Sequence, residues 1–205
     1  MKTLANLLIL TLLCSCMVKK DLSKLPYFKT MNFIPTMTKT IDSIEINSFE
    51  LINQDNQTID ETHYKNKIRL TNFFFTVCQG FCTQLTEHMN VVNNHYLDDP
   101  TVHFISHSIT PIIDTPEILQ SYVTKKELNT QKWNFLTGSE LDVLQLAKRH
   151  YGVTIVTADE DINHTEKFFL IDPNGYIRGV YNGTLRIESK RIIEHIEKLK
   201  KEFKL

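Results

Sequence analysis

The feature that most constrains the fold of this chain is a short apolar run that leads into a pair of cysteines and then into a helical pattern. Residues 68–75 are mainly apolar, with β-branched and aromatic side chains, which is typical of a strand buried on both faces of a parallel sheet. Cys78 and Cys82 follow in the segment TVCQGFCTQL. Apolar residues then recur at helical spacing at Phe81, Leu85, Met89 and Val92. The pattern predicts a buried strand, a thiol pair at its carboxyl end and a helix that starts at the thiols.

The spacing of the two cysteines indicates what their side chains can do. Positions i and i+4 lie on the same face of a helix, so the sulfur atoms of Cys78 and Cys82 can both contact one small ion or each other. The unpaired N–H groups and the partial positive charge at a helix N-terminus are expected to lower the pKa of both thiols. From spacing alone, a plain structural disulfide is as open an interpretation as redox or metal chemistry.

The amino terminus has the pattern of an export signal. Lys2 precedes an apolar stretch at residues 4–13 that is too short to span a bilayer. The stretch ends in the letters LCSC at residues 13–16, which resemble a bacterial lipobox. We therefore predict a lipoprotein signal at residues 1–16, lipid attachment at Cys16, and an exported protein that the lipid holds at the membrane, in the periplasm or on the outer face of the plasma membrane. An ordinary uncleaved anchor is the alternative.

Length and charge limit the remaining possibilities. Residues 17–40 contain two prolines and no steady period, which is typical of an extended tether, and residues 41–205 are long enough for one domain with a sizeable core. The net charge is −1, and the basic residues are scattered rather than gathered into a patch. Nucleic acid is therefore not an expected partner.

Strands and helices are predicted to alternate along residues 41–205. A hairpin is expected at residues 44–59, around a polar turn at 53–56. Further strands are predicted at residues 102–109, 133–136, 167–172 and 176–181, the last two being joined by the turn Pro173-Asn174-Gly175. Helices are predicted from Asp114-Thr115-Pro116, from Ser139 and over the carboxyl-terminal residues. This order predicts an α/β fold with a thioredoxin-like central mixed β-sheet, flanking helices and an N-terminal β-hairpin, in which ligands collect at the carboxyl ends of strands.

Four segments resemble, in order, the blocks of the Sco/SenC family of copper chaperones. They are TNFFFTVCQGFC, SITPIIDTPEILQSYV, WNFLTGSELDVLQLAKRHYGV and DINHTEKFFLIDPNGYIRGVYNG, and the resemblance covers residues 44–205. In that family two cysteines and a histidine before the penultimate strand bind one copper ion, which implies Cys78, Cys82 and His164 as metal ligands here. The resemblance further implies delivery of copper to the binuclear copper site of cytochrome c oxidase, or reduction of that site's cysteines, with the copper-site subunit as partner.

The chemistry of the implied ligands agrees with copper. Two thiolates and an imidazole form a soft donor set that suits Cu(I) and can also hold Cu(II), whereas hard cations and haem do not fit it. Zinc accepts the same ligand types, but structural zinc usually has four protein ligands and the sequence offers three. An open coordination position suits a protein that must pass its metal on.

Several residues depart from the family pattern. The family often has proline after each cysteine, where this chain has Gln79 and Thr83, and the loss of both prolines predicts a less stiff thiol loop. In the family's SxDPxRDT block the first acidic residue and the arginine are replaced by Thr110 and Ile113. Asn163 stands where an aspartate commonly precedes the histidine, which removes a negative charge beside the metal. We expect this loss to weaken binding of Cu(II) more than binding of Cu(I).

Two other functions use the same residues. Thiols at a helix start in a thioredoxin-like order also suit a thiol-disulfide reductase of exported proteins, in which Cys78 and Cys82 would be catalytic, although the usual CxxC spacing is absent. A copper or redox sensor would need the same ligands. The sequence therefore leaves carrier, enzyme and sensor open, with the copper carrier favoured by the resemblance.

Overall fold

The architecture is taken from a computed structural model, which describes residues 24–46, 48–78, 80–153, 156–158, 161–163 and 165–205. The predicted signal at residues 1–16, with the lipidation candidate Cys16, lies outside the described residues, as do Gln79 and His164.

Short strands and five helices make up the described chain. The strands are β1 (Tyr27–Phe28), β2 (Pro35–Thr36), β3 (Glu50–Asn53), β4 (Thr58–Asp60), β5 (Ile68–Phe74), β6 (Val102–Ser108), β7 (Trp133–Thr137), β8 (Val156–Ala158), β9 (Asp161–Asn163), β10 (Lys167–Ile171) and β11 (Ile177–Asn182). The α-helices are α1 (Thr30–Phe33), α2 (Cys82–His95), α3 (Pro116–Lys125), α4 (Glu140–Tyr151) and α5 (Arg186–Phe203), and a single 3₁₀ turn covers Glu61–Tyr64.

A seven-stranded mixed sheet organises these elements, with the strand order β11-β10-β5-β6-β7-β3-β4. Strands β5, β6 and β7 are parallel, and each of the outer strands runs antiparallel to its inner neighbour. The two parallel crossovers therefore bring the carboxyl ends of β5 and β6 to one edge of the sheet, as predicted for the edge that carries the thiols.

Successive side chains along the strands lie on opposite faces of the sheet and form two apolar cores. Leu70 and Phe74 of β5 point to the face covered by α2, α3 and α5, and Phe73 points to the face covered by α4. All seven residues of β5 are buried, which confirms the prediction of a strand covered on both faces. Each fully buried Phe or Leu contributes about 1.5–3 kcal/mol to folding, so β5 anchors whatever follows it in the chain.

The predicted helix starts are confirmed at two positions. The Thr115 side chain accepts a hydrogen bond from the Ile118 N–H and Pro116 is the first residue of α3. Ser139 Oγ accepts a hydrogen bond from the Asp142 N–H at the start of α4. These caps satisfy N–H groups that have no partner within the helix, which is why both helices begin where the sequence indicates.

The predicted strand at residues 44–52 is divided in two. Ile46 N–H donates to the Gly175 carbonyl at 2.8 Å, next to the turn between β10 and β11, whereas β3 begins only at Glu50 and pairs with β7. Ser48, between the two parts, has a φ of 57°, a conformation that interrupts a strand. The β3–β4 hairpin itself is present, with Asn53 side-chain oxygen accepting from two N–H groups of the turn.

The described part of the predicted tether is packed against the domain rather than extended. Strands β1 and β2 form a small antiparallel pair, and Leu25 is buried in the core beneath α5. The carbonyl oxygens of Leu25 and Pro26 accept hydrogen bonds from the guanidinium of Arg178 on β11, at 2.7 and 3.1 Å. The apolar side chain and the paired carbonyls together explain why this segment lies on the sheet.

One strand pair among the described residues was not predicted. Strands β8 and β9 form an antiparallel pair just before β10, in a segment with no clear alternation. In the part of the chain that the structure describes, no helix combines the length and the apolar character needed to cross a bilayer.

Candidate metal centre

Strand β5 and helix α2 position the two cysteines at one edge of the sheet. The chain leaves β5 at Phe74, and the Cys78 N–H donates to the Phe75 carbonyl at 3.4 Å, which closes a turn. Helix α2 then begins at Cys82, so Cys78 lies in the preceding loop. The predicted helix therefore starts at the second thiol, and Cys78 lies in the turn before the helix rather than on the same helical face as Cys82.

The two thiols are nevertheless adjacent. Both cysteines are in the reduced form, and their side chains are hydrogen-bonded to each other. Cys78 is half-buried and its Sγ also accepts a hydrogen bond from the Gly80 N–H at 3.4 Å, whereas Cys82 is only 2 % exposed. The pair thus joins an accessible thiol to a buried one.

Burial determines the acidity of the inner thiol. Removal from water raises the pKa of Cys82 far above its ordinary value, and the hydrogen bond with Cys78 raises it further. The expected lowering of the pKa by the helix N-terminus is therefore wrong for Cys82, because the desolvation of a thiolate outweighs a partial charge. Cys82 is protonated at neutral pH, and a metal ion that binds there must displace that proton.

A buried carboxylate lies at the same edge of the sheet. Asp114 is fully buried and accepts hydrogen bonds from the hydroxyls of Thr76, Ser108 and Thr110 at 2.5, 2.6 and 3.1 Å. No cationic side chain among the described residues lies within ion-pair distance of Asp114. Its negative charge contributes to the raised pKa of Cys82, which means that its field reaches the thiols.

Thr110 and Ile113, which stand where the family has charged residues, also lie at this edge. Thr110 donates to Asp114, so the hydroxyl of the substituted residue takes part in the network that holds the carboxylate. Ile113 is exposed, together with Ile112 beside it and Val77 beside the outer cysteine. Val77 therefore places an exposed apolar side chain next to Cys78, and Ile113 is an exposed apolar residue where the family pattern has an arginine.

The third predicted ligand, His164, lies outside the described residues, between the end of β9 and the start of β10. Among the described residues, no group of three His, Cys, Asp or Glu side chains is arranged to hold a metal ion. The described thiols are thus two soft donors that one copper ion can share, and the fit of the full donor set depends on the imidazole of His164.

Sequence reasoning missed the role of Asp114 at this site. The sequence indicates Asp114 as part of the start of α3 and as a retained residue of the SxDPxRDT block, whereas in the structure its side chain is buried and accepts hydrogen bonds from three hydroxyls. The signal was an acidic residue surrounded by Ser and Thr in SITPIIDT, which is the composition of a buried, hydroxyl-satisfied carboxylate.

A buried strand that ends in a thiol loop and a helix, set in a mixed sheet with helices on both faces, defines a thioredoxin-like dithiol protein. The SCO1/SenC family model matches residues 38–201, and the chain therefore belongs to the SCO1/SenC family.

Known proteins agree with this assignment. The chain is 32% identical over 165 residues to the SCO2-like protein RT0576 of Rickettsia typhi, covering 76% of this chain and 78% of the relative. A SCO1/SenC family lipoprotein from Bacillus anthracis shares 28% identity and superposes with a TM-score of 0.72, covering 76% of this chain and 95% of the other. BsSco, a member of the Sco family of cytochrome c oxidase assembly proteins in which a disulfide switch has been identified, shares 26% identity over 76% of this chain and 93% of its own, with a TM-score of 0.68.

A more distant structure has the same fold. ScoI of Arabidopsis thaliana, crystallised with copper bound, shares 21% identity with a TM-score of 0.63 and covers 75% of this chain and 99% of its own.

Proposed function

We propose that this protein is an exported, lipid-anchored copper chaperone that binds one copper ion through Cys78, Cys82 and His164. Its recipient would be the copper-site subunit of cytochrome c oxidase. The observation that carries the proposal is the pair of adjacent, reduced thiols at the start of α2, in a chain that belongs to the SCO1/SenC family.

The unequal burial of the two thiols suits a protein that must give its metal away. Cys82 offers a ligand that water does not reach, and Cys78 offers one that a partner can approach. A three-coordinate copper ion held between them keeps an open position for an incoming ligand of the recipient. The negative charge of buried Asp114 favours a cation at this edge of the sheet, and the exposed side chain of Val77, next to Cys78, offers an apolar contact for the recipient.

The anchor and the domain limits belong to the same proposal. We propose a lipoprotein signal at residues 1–16, the lipid on Cys16, and the Sco domain at residues 41–205; the connecting segment at residues 17–40 packs on that domain from Leu25 onward. The Bacillus anthracis relative is itself a lipoprotein, which supports a lipid anchor. Growth of the cells with a radioactive fatty acid would label the protein, and a Cys16→Ser variant should lose the label.

A copper titration of the full chain tests the ligand set. Reduced protein in detergent should bind one Cu(I) ion, and Cys78→Ser, Cys82→Ser and His164→Ala should each weaken binding at least tenfold, since each removes one of three ligands. His95→Ala, at an exposed position near the end of α2, is the matched control and should bind as the wild type does. Unchanged stoichiometry and affinity in His164→Ala would remove the histidine from the site.

Assembly of the oxidase tests the delivery role. Cells that lack the protein should lose cytochrome c oxidase activity when copper is scarce and should recover part of it when copper is added. Full oxidase activity under copper scarcity would contradict a role in delivery, even if the purified protein binds copper.

Thiol-disulfide exchange is the second candidate function, because both cysteines are reduced and their side chains are in contact. In that case Cys78 would attack the disulfide of a substrate, since it is the exposed thiol, and Cys82 would resolve the mixed disulfide. Reduction of insulin faster than the uncatalysed reaction by the wild type, but not by Cys78→Ser, would favour a general reductase. Uncatalysed rates would restrict any reductase activity to a dedicated partner.

A further inference from the structure

A buried arginine at the edge of the sheet opposite the thiols has no partner for its charge. Arg69 is the second residue of β5, pairs with Ile171 of β10 and is 3 % exposed. Among the described residues, none accepts a hydrogen bond from its Nε and no carboxylate lies within ion-pair distance of its guanidinium. The nearest aromatic contact is the Tyr64 ring, whose centroid lies 5.8 Å from Cζ.

An unpaired buried guanidinium is costly. A buried cation loses its hydration, and this loss is normally offset by a carboxylate or by hydrogen-bond acceptors. Burial accordingly lowers the pKa of Arg69 from its ordinary value. Asp172 is a buried carboxylate whose charge acts on Arg69, but it is already bonded to Arg178 Nη1 at 3.0 Å. A ligand with acceptor atoms would relieve this cost.

A pocket opens on the guanidinium. It has a volume of about 190 Å³, and its lining includes Arg69, Tyr64, Gly175, Glu45 and Glu61; we call it the Arg69 pocket. A β carbon built on Gly175 would lie 3.5 Å from Arg69 Nη2 and 3.1 Å from the Ile46 carbonyl oxygen, so it would fill the space in front of the guanidinium. The φ of 90° at this position also favours glycine.

The two glutamates in the lining restrict what the pocket can take. Glu45 already accepts a hydrogen bond from the Tyr176 hydroxyl at 2.7 Å, and Glu61 accepts one from the Phe49 N–H at 3.2 Å. Both therefore have partners of their own, but their negative charges disfavour a phosphate dianion. A carboxylate carries a single charge, and its two oxygens match the fork of a guanidinium.

We propose that the Arg69 pocket binds the carboxylate group of a small molecule or of a peptide C-terminus, with the guanidinium of Arg69 as its main donor. The pocket is separate from the thiol edge, because Arg69 lies at the start of β5 and Cys78 follows its end. Binding there does not depend on copper.

Calorimetric titration of the full-length, reduced protein in detergent tests the proposal, at constant ionic strength. The probes are acetate, N-acetylglycine, its neutral amide N-acetylglycinamide, a tripeptide with a free carboxyl terminus, and inorganic phosphate. Acetate and N-acetylglycine should bind saturably, the amide should not bind, and phosphate should bind at least tenfold more weakly than acetate. A tripeptide that binds at least tenfold more tightly than acetate assigns the pocket to a peptide terminus, and equal affinities assign it to a small free carboxylate.

Three variants connect binding to the guanidinium. Arg69→Met should abolish carboxylate binding, and Arg69→Lys should weaken it at least tenfold because the ammonium lacks the planar fork. Arg186→Met, which removes an exposed arginine at the start of α5, should bind as the wild type does. Without ligand, Arg69→Met should unfold at the same temperature as the wild type or higher, since it removes an unpaired buried charge, and this shows that the variant is folded.

Two results would overturn the proposal. One is the absence of saturable carboxylate binding by the wild type, which would mean that water and the field of Asp172 suffice for Arg69. The other is equal carboxylate affinity in the wild type and in Arg69→Met.

Discussion

The two edges of the central sheet differ in the sign of the charge that they bury without an ion-pair partner. At the thiol edge, the carboxylate of Asp114 is held by three hydroxyls and has no cation beside it among the described residues. At the opposite edge, Arg178 is buried against two carboxylates, whereas the guanidinium of Arg69 has neither carboxylate nor hydrogen-bond acceptor for Nε.

This difference shows how one sheet can favour a cation at one edge and an anion at the other. The field of a buried carboxylate that has no cation beside it favours a cation at the adjacent thiols. An unpartnered guanidinium that faces a pocket favours an anion in the same way. Arg178 is the internal standard for this comparison, because it is equally buried and fully paired.

The largest expected effect comes from removing the paired arginine. Arg178→Met leaves the buried carboxylate of Asp172 without its cation and the Leu25 carbonyl without a donor, so the free energy of unfolding should fall by about 3–5 kcal/mol. Urea denaturation measures the loss. Arg191→Met, which breaks a half-exposed ion pair with Glu188 on α5, is the control and should cost less than about 1 kcal/mol. Equal losses in the two variants would show that burial of Arg178 has no special weight.

Substitution of Asp114, the carboxylate held by hydroxyls, should have the second-largest effect on stability. Asp114→Ala leaves the hydroxyls of Thr76, Ser108 and Thr110 without their acceptor and should lower the free energy of unfolding by about 2–3 kcal/mol. Asp114→Asn keeps one carbonyl acceptor and should cost less than the alanine variant. Urea denaturation of both variants checks the order. A loss below that of Arg191→Met would mean that this network contributes little to the thiol edge.

A third buried titratable group, His107, is held in its neutral form. His107, near the carboxyl end of β6, is stacked on Phe73 and fully buried, and burial, with the Arg69 charge adding to it, lowers its pKa to about 3. At pH values between the folded pKa of His107 and its ordinary pKa of about 6.5, this histidine is protonated in the unfolded chain but neutral in the folded protein. The contribution of neutral His107 to the free energy of unfolding is therefore complete above about pH 6.5. Below that pH, the free energy of unfolding falls by up to about 1.4 kcal/mol per pH unit.

His107→Phe should remove that part of the pH dependence. Urea midpoints measured between about pH 7 and pH 5 should fall less steeply in this variant than in the wild type. His95→Phe, at an exposed position, should keep the steeper dependence. Identical slopes in wild type and His107→Phe would mean that His107 takes up its proton in the folded protein.

The smallest expected effect is a difference in reactivity between the two thiols. Cys78 is half-buried, whereas burial both hides Cys82 and raises its pKa, so iodoacetamide should modify Cys78 about tenfold faster at neutral pH. Peptide mass mapping of the reduced full chain follows the two sites separately. Faster modification of Cys82 would contradict the unequal burial on which the exchange of copper is argued.

Much of the fold was predictable from local patterns. Strand β5, the β10–β11 hairpin and the caps at Thr115 and Ser139 are confirmed, since apolar runs, turn residues and capping side chains act over a few neighbouring residues. The division of the strand at residues 44–52 was not predictable, because Ile46 pairs with Gly175, far along the chain. The packing of Leu25 beneath Arg178 was missed for the same reason.

The chemistry of the sites was predictable only in part. The expectation that Cys78 and Cys82 act as soft donors rests on residue type and spacing, whereas the raised pKa of Cys82 depends on how deeply the helix start is buried. Arg69 in the run IRLTNFF carried a signal, since a charged residue in a fully buried strand needs an explanation.

The sequence by itself determined the order of strands and helices, the pair of thiols after a buried strand and the resemblance to the SCO1/SenC family, since these depend on residues close together in the chain. The tertiary structure alone decided which thiol is accessible, that Asp114 is held by hydroxyls and a backbone N–H without a cation among the described residues, and that Arg178 is paired while Arg69 is not. The physical reason is that burial and charge pairing depend on which side chains meet once the sheet has formed, including partners as far apart in the chain as Arg178 and Leu25 or Asp114 and Thr76.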